Sequence, residues 1–305
     1  MKLRIGTRGS RLALAQARQV AEALTALGVE TELVAITTAG DRGADPASDP
    51  AGVKGLFVSE IVRALRDGEV DLAVHSAKDL PAGNEAADEP KDEKDLVIAA
   101  VPERASALDV LVTRDGDLRP GARVGTSSIR RRAQVFRLRP DVIVEDLRGN
   151  VDTRLRKLRD GETDALILAG AGLLRLGVVP EHAAPMSLSE MVPAPGQGCL
   201  AVQARPSDGA TIEVLSALDH APSRMALETE RGLMARLGGG CALPLGAFAE
   251  PGPRGVKLLA IALSPDGSRI ARTEVDGATP EEVAELAALD LSAGGADEIL
   301  GLVRP

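Results

Sequence analysis

The basic side chains of this 305-residue chain gather at repeated places, and those places suit the binding of anions. Arg8 and Ser10 follow one short apolar run, and Lys78 and Asp79 follow another that ends at Val74. Thr126, Ser128, Arg130 and Arg131 follow a third, and Arg148, Arg154 and Arg156 a fourth. If each run is a strand and each polar group opens a helix, the basic residues lie at strand C-terminal edges and helix N-termini. There the backbone N–H groups and the macrodipole already favour negative charge. Arg130-Arg131-Arg132 at a helix start is unfavourable to that helix unless an anion balances it. Such a run is either a solvated basic face or half of an anion site. Its recurrence at several strand ends favours an anionic ligand with several carboxylates, which Arg grips through two parallel hydrogen bonds.

Asp79 is the lone acid among these groups. Lys78 beside it favours the ionised form, so a carboxylate is expected at neutral pH. It is placed to stabilise or shuttle positive charge on a bound molecule; otherwise it is only a helix cap or the ion-pair partner of Lys78. Cys241 lies in Gly238-Gly239-Gly240-Cys241-Ala242-Leu243-Pro244-Leu245-Gly246. Three glycines forbid a stable helix and Pro244 removes a strand donor. Segment 223–237 reads as a helix, so Cys241 leaves a helix end, either as a reachable thiol or as a small buried residue beside a glycine cap. Cys199 sits in Gly198-Cys199-Leu200-Ala201-Val202, an apolar strand, and is the better candidate for inert core. His75, His182 and His220 are scattered and the two cysteines lack paired spacing, which argues against a metal site. Gly170-Ala171-Gly172 meets Arg175 where a dinucleotide fingerprint needs Gly or Ala, and there is no Walker pattern.

Composition narrows the ligand further. The net charge is −9, Lys supplies seven of 36 basic residues and leaves 29 Arg, and there is no Trp or Tyr. Phe57, Phe136 and Phe248 are the only aromatic rings, too few for a base-stacking surface, so no nucleic-acid partner is expected. Mean hydropathy is +0.02, and no apolar run approaches the ~20 residues of a membrane span. The N-terminal residues lack a signal-peptide core, and two cysteines suit a reducing compartment, so a cytoplasmic protein with no membrane partner is expected.

The positioning elements follow from apolar spacing and punctuation. Strands are expected at 2–7, 32–37, 71–74 and 96–101, with helices at 11–27, capped by Ser10 and closed by Gly28, and at 56–66. The Gly/Asp/Pro-rich segment 39–54 reads as a long functional loop or a tolerated insertion, and 85–95 as a solvated acidic loop. Past a crossing near Pro102-Glu103-Arg104 the rhythm repeats. Strands are expected at 109–113, 123–126, 142–147 and 165–169, alternating with helices from 129 and 151 and, after Gly170-Ala171-Gly172, one carrying Arg175. Segment 186–195 is a return linker, 198–204 a strand able to rejoin the first sheet, and 211–218 a short helix. A hairpin of strands 258–263 and 269–275 and a final helix opened by Thr279-Pro280-Glu281-Glu282 complete the chain. These elements predict two α/β domains around a cleft and a smaller α+β domain carrying Cys241. Ligands of open α/β sheets bind beyond the strand C-termini, where the basic groups lie.

Several of these stretches together resemble the porphobilinogen deaminase (hydroxymethylbilane synthase) family. They are Ile5-Gly6-Thr7-Arg8-Gly9-Ser10, Lys54-Gly55-Leu56-Phe57-Val58, His75-Ser76-Ala77-Lys78-Asp79-Leu80-Pro81, Gly125-Thr126-Ser127-Ser128-Ile129-Arg130-Arg131, Leu147-Arg148-Gly149-Asn150-Val151-Asp152-Thr153-Arg154 and Pro193-Ala194-Pro195-Gly196-Gln197-Gly198, with the Cys241 loop. The resemblance implies two α/β domains of the type II periplasmic-binding-protein kind plus the C-terminal α+β domain. It sets domain 1 at 1–101 and 194–216, domain 2 at 102–193 and domain 3 at 217–305. It implies a transferase that deaminates porphobilinogen and joins four molecules head to tail on a covalent dipyrromethane cofactor, attached by a thioether to Cys241, and then releases hydroxymethylbilane. By the same resemblance Asp79 is the catalytic carboxylate that stabilises the pyrrolium and azafulvene species. Arg8, Ser10, Lys78, Thr126, Ser128, Arg130, Arg131, Arg148, Arg154 and Arg175 bind cofactor and substrate carboxylates. Ser76, Ser127, Gly149 and Gln197, within the matching runs, join that set, and Lys54 and Phe57 end a mobile lid at 39–54. A monomer is implied. Two stretches depart from the family pattern: the longer acidic insertion 85–95, and Ala105-Ser106-Ala107-Leu108-Asp109 where a Pro-Arg-Asp run is usual, which bears on the hinge contact. The competing reading is a non-catalytic, two-lobed carboxylate sensor, which needs neither Cys241 nor Asp79.

Overall fold

A computed structural model describes residues 1–38, 52–81, 96–238 and 243–303, with the backbone alone at 52–57. Cys241, residues 39–51 and the acidic insertion 85–95 lie outside the described residues, as do the side chains of Lys54 and Phe57.

The chain opens with β1 (Lys2–Arg8), α1 (Arg11–Ala26), β2 (Glu30–Ile36), α2 (Gly52–Arg66), β3 (Leu72–Ser76) and β4 (Val97–Ala100). In α1, residues 12, 16, 20 and 24 fall on one face at intervals of four, and Ser10 caps the first turn by accepting the Ala13 N–H at 3.3 Å. That face packs Ala17, Val20 and Leu24 on Leu3, Ile5 and Val74 of the sheet. Each such buried Leu or Val is worth about 1.5–3 kcal/mol. Helix α2 starts at Gly52, four residues before the expected start at Leu56, and takes in Lys54. Gly52 and Gly55 lower helix propensity, but 53, 57, 61 and 65 continue an apolar stripe, and Ile61 and Leu65 are fully buried.

A second set follows: β5 (Asp109–Thr113), β6 (Arg123–Gly125), α3 (Ile129–Leu138), β7 (Ile143–Glu145), α4 (Val151–Arg159), β8 (Ala165–Ala169), α5 (Gly170–Leu176) and β9 (Ala183–Pro185). Then come β10 (Leu200–Ala204), α6 (Gly209–Ser216), α7 (Ala221–Arg236), β11 (Leu245–Gly252), β12 (Gly255–Leu263), β13 (Ile270–Gly277), α8 (Pro280–Ala293) and α9 (Ala296–Gly301). The expected C-terminal hairpin is β12–β13. Strands β9 and β11 and helix α9 were not expected. Strand β11 was hidden because Pro244 read as a breaker, yet Pro244 precedes the first ladder residue and costs no strand donor.

The two five-stranded sheets share one plan. The first has order β2-β1-β3-β10-β4, and the second β7-β6-β8-β5-β9. In each, four strands run in one direction, and a single antiparallel strand enters between the third and the edge. In each case that strand, β5 or β10, is the first formed after the chain crosses from the other sheet. This is the expected two-lobed α/β architecture, and both lobes turn parallel-strand C-termini and helix N-termini toward a common cleft. The antiparallel sheet β11-β12-β13 packs Leu245, Ala247, Leu258 and Ala260 against Leu233, Ala284, Ala287 and Leu291 of α7 and α8, giving the smaller α+β unit. No helix among the described residues is long and apolar enough to cross a membrane.

Candidate functional site

On the first sheet, β1 ends at Arg8 and Ser10 caps α1, while β3 ends at Ser76 and a single 3-10 turn, Ala77–Asp79, follows. The Ala77 N–H donates to the Cys199 carbonyl at 3.0 Å, so that turn is anchored to the chain entering β10. These ends border a solvent-open cleft with Arg8, Ser10, Gln16, His75, Ser76 and Asp79 on its walls. The amide of Gln16 donates to Ser76 Oγ at 2.8 Å. Burial pushes the His75 imidazole down to about 4, so it is neutral at neutral pH. Lys78 is half-buried. Desolvation lowers its ammonium from the ordinary lysine value; Asp79 favours the charge, while Arg131 and Arg130 from the other sheet repel it.

The second sheet supplies a denser set of cations. Thr126 is fully buried at the end of β6, and its Oγ1 accepts the Ser128 N–H at 3.2 Å; Ser128 in turn caps α3 by accepting the Arg131 N–H. Arg130 donates to Asp109 Oδ2 at 2.8 Å and to the Val192 carbonyl at 2.6 Å. Arg131 donates to Asp109 Oδ1 at 2.7 Å and to the Ile167 carbonyl at 2.9 Å. Gln197 Nε2 reaches the same Asp109 Oδ1 at 2.9 Å and the Ala107 carbonyl at 2.7 Å. Burial alone would raise the Asp109 carboxyl, but the two guanidiniums outweigh it and hold it far below the usual carboxylate range. Arg130 and Arg131 are therefore spoken for by an internal acid, which fixes where their remaining edges point.

Arg154 on α4 donates to the Gly149 carbonyl at 2.8 Å and to Ser127 Oγ at 3.4 Å. Desolvation and then the Arg131 charge push its guanidinium down to about 10. Arg148 is exposed and pairs with Asp146 at 3.1 Å. Arg175 crosses to the first sheet's side, donating to the Gly198 carbonyl at 2.8 Å and Gln19 Oε1 at 3.3 Å. Arg11 and Asp152, in the first turns of α1 and α4, meet at 2.6 Å and bring the two helix N-termini together. The crossing segments touch as closely as backbone allows. Gly198, at φ +89°, lies where a Cβ would sit 2.4 Å from the Ala105 carbonyl.

Cations of the two lobes thus lie close enough to repel one another, and burial together with that repulsion disfavours the charge on Lys78 and Arg154. A bound polyanion relieves that repulsion, which fits a cofactor or substrate bearing several carboxylates. Of the expected site residues, Arg8, Ser10, Ser76 and Asp79 share the cleft, and Lys78, next to Asp79 in the chain, is close enough to Arg130 and Arg131 to feel their charge. Thr126, Ser127, Ser128, Gly149 and Arg154 lie together on the opposite edge. Arg148 stands at the solvent side, and Gln197 and Arg175 support the crossing chain. Cys199 is buried and its thiol is pushed up to about 12 by burial. Two residues escaped the reading of the sequence. Asp109 is a charge at the head of an apolar strand, noticed only as a departure in the hinge. Gln16 is the one polar residue in the stripe 12, 16, 20, 24.

Comparison with known proteins gives the family. The family model described as porphobilinogen deaminase, dipyromethane cofactor binding domain, matches residues 3–213, and that described as porphobilinogen deaminase, C-terminal domain, matches residues 225–293. A curated porphobilinogen deaminase of Brevibacillus brevis is 42% identical over 309 residues, 99% of this chain and 97% of that protein. Those of Rubrobacter xylanophilus and Thermus thermophilus are 44% and 43% identical over 99% and 98% of this chain, each aligned over 98% of its own length. Among solved structures, a periplasmic substrate-binding protein of an ABC transporter from Coxiella burnetii is 16% identical with a TM-score of 0.41, covering 72% of this chain and 93% of that one. The chain belongs to the porphobilinogen deaminase family, enzymes of the transferase class, and carries that family's dipyrromethane cofactor-binding domain.

Proposed function

We propose that this chain deaminates porphobilinogen and joins four molecules head to tail on a dipyrromethane primer held by a thioether to Cys241, releasing hydroxymethylbilane and ammonia. The observation that carries the reading is that Asp79 and Arg8 border one cleft while Lys78, adjacent to Asp79, feels the charges of Arg131 and Arg130 from the second lobe. When bound, the primer supplies a free pyrrole α-position that attacks the deaminated substrate. The chain's own residues do the rest. Arg8, Ser10, Ser76, Lys78, Thr126, Ser127, Ser128, Arg148, Gly149, Arg154 and Arg175 hold the acetate and propionate groups of primer and substrate. Arg130, Arg131 and Gln197 take part from positions set by Asp109. Asp79 places a carboxylate where the pyrrole ring gains positive charge as ammonia leaves, and lowers that barrier electrostatically. The reading also includes Lys54 and Phe57, which fall in the first turns of α2.

The same reading assigns domain 1 to 1–101 and 194–216, domain 2 to 102–193 and domain 3 to 217–305. It makes the protein a cytoplasmic monomer with no nucleic-acid or membrane partner. Cys199, buried and with a thiol raised to about 12, is a poor nucleophile, which supports Cys241 as the attachment point. The test is the intact mass under denaturing conditions of protein made in a porphyrin-competent host. It should exceed the polypeptide mass by two linked pyrrole units. Cys241→Ser should abolish the excess and Cys199→Ser should keep it. A bare polypeptide mass for the wild type defeats the reading, and loss of the excess with Cys199→Ser alone defeats the assignment to Cys241.

A further inference from the structure

We infer that Gln16 is a positioning residue whose amide fixes the Ser76 hydroxyl so that its proton is presented to a substrate or primer carboxylate in the cleft. Gln16 is 4% exposed and occupies a place in the α1 stripe where its companions Leu12, Val20 and Leu24 are apolar. A buried amide among apolar groups is costly unless it is hydrogen-bonded. Its Nε2 spends that bond on Ser76 Oγ at 2.8 Å, across from helix to strand end. A serine hydroxyl has one proton and two lone pairs. With one lone pair held by the amide, the Ser76 O–H points elsewhere, and among the described residues no acceptor takes it. Both residues line the cleft that Arg8, Ser10 and Asp79 also border. A hydroxyl free to turn can offer a carboxylate either a proton or a repelling lone pair; one held by a donor on its oxygen offers the proton.

The inference rests on the functional reading above, and kinetics of the primer-bearing enzyme with porphobilinogen separate the two. Gln16→Met keeps the side-chain length and removes the donor, and Ser76→Ala removes the hydroxyl. Each should raise KM by about tenfold, the scale of one hydrogen bond to a charged acceptor, with kcat within threefold. In the double variant the KM effect should be no larger than in Ser76→Ala alone, because Gln16 acts through Ser76. Gln16→Glu adds a signature that loss of packing would not produce. Its protonated form can donate as the amide does, whereas its ionised form takes the Ser76 proton, so KM relative to wild type should rise with pH. Arg8, His75 and Asp79 border the same cleft, and the wild-type profile over the same range subtracts their titration. Effects that multiply in the double variant, a Gln16→Met KM within twofold of wild type, or a Gln16→Glu ratio that falls with rising pH would overturn the inference while leaving the enzyme reading intact. A wild type carrying primer that does not consume porphobilinogen would overturn both.

Discussion

Arg104 Nη1 lies 2.7 Å from Glu230 Oε1, and this pair joins the first crossing segment to helix α7 of the C-terminal unit. Glu230 is fully buried and also accepts the N–H groups of Gly196, in the return crossing, and of Ala249, on β11. Arg104 in addition donates to the Gln197 carbonyl at 2.9 Å and lies over the Phe248 ring. One carboxylate therefore ties both interlobe crossings to the unit whose helix α7 leads toward Cys241.

Removing one member of such a buried pair strands its partner's charge. Glu230→Ala should lose about 3–5 kcal/mol of stability in urea unfolding. Glu230→Gln should also be destabilising, because a neutral amide cannot balance Arg104. A loss under 1 kcal/mol for the alanine variant would show that the hub does not hold the crossings together.

Asp109 should govern part of the acid response. Its folded-state carboxyl lies below the ordinary value of 3.8, because Arg130 and Arg131 outweigh the effect of burial. The linked stability is fully present above that ordinary value and is lost as pH falls from there toward the folded value. Asp109→Asn should cost about 3–5 kcal/mol at pH 7 and flatten the decline of unfolding free energy below about pH 4. An unchanged acid slope would remove Asp109 from that role.

Asp79→Asn keeps the size but removes the charge and turns one acceptor oxygen into a donor. Turnover of porphobilinogen should fall by about 10²–10³, with far-UV circular dichroism unchanged. A fall below tenfold would show that the carboxylate is not the group stabilising positive charge on the ring.

Cys199 should be silent to thiol reagents in the folded protein. Its thiol, raised to about 12 by burial, is protonated at pH 8 and shielded. In the Cys241→Ser variant, an aromatic disulfide reagent should release colour only after denaturant is added. Rapid reaction in native buffer would contradict the buried, inert assignment.

Much of the fold was legible because its signals are local. The caps Ser10, Ser128, Asn150 and Thr279 accept backbone N–H groups three residues on, and strands Asp109–Thr113 and Ala165–Ala169 are bounded where apolar spacing places them. What misled were residues with two meanings. Gly52 and Gly55 lie inside α2 although glycine disfavours helices, and Pro244 read as a strand breaker although it sits just before β11. Gln16 and Asp109 were polar residues in apolar patterns, and nothing local named their partners.

By itself the sequence determined the order of most elements, the cationic character of the strand ends, the buried setting of Cys199, and the family. These depend on residue type and on spacings of a few positions. Tertiary structure alone decided that Arg130, Arg131 and Gln197 converge on Asp109, that Gln16 holds Ser76, and that Glu230 gathers Arg104, Gly196 and Ala249. Most of those partners lie tens of residues or more apart in the chain. Their pairing follows from burial: a polar group taken out of water must find a partner, and which one it finds depends on how the sheets and helices pack.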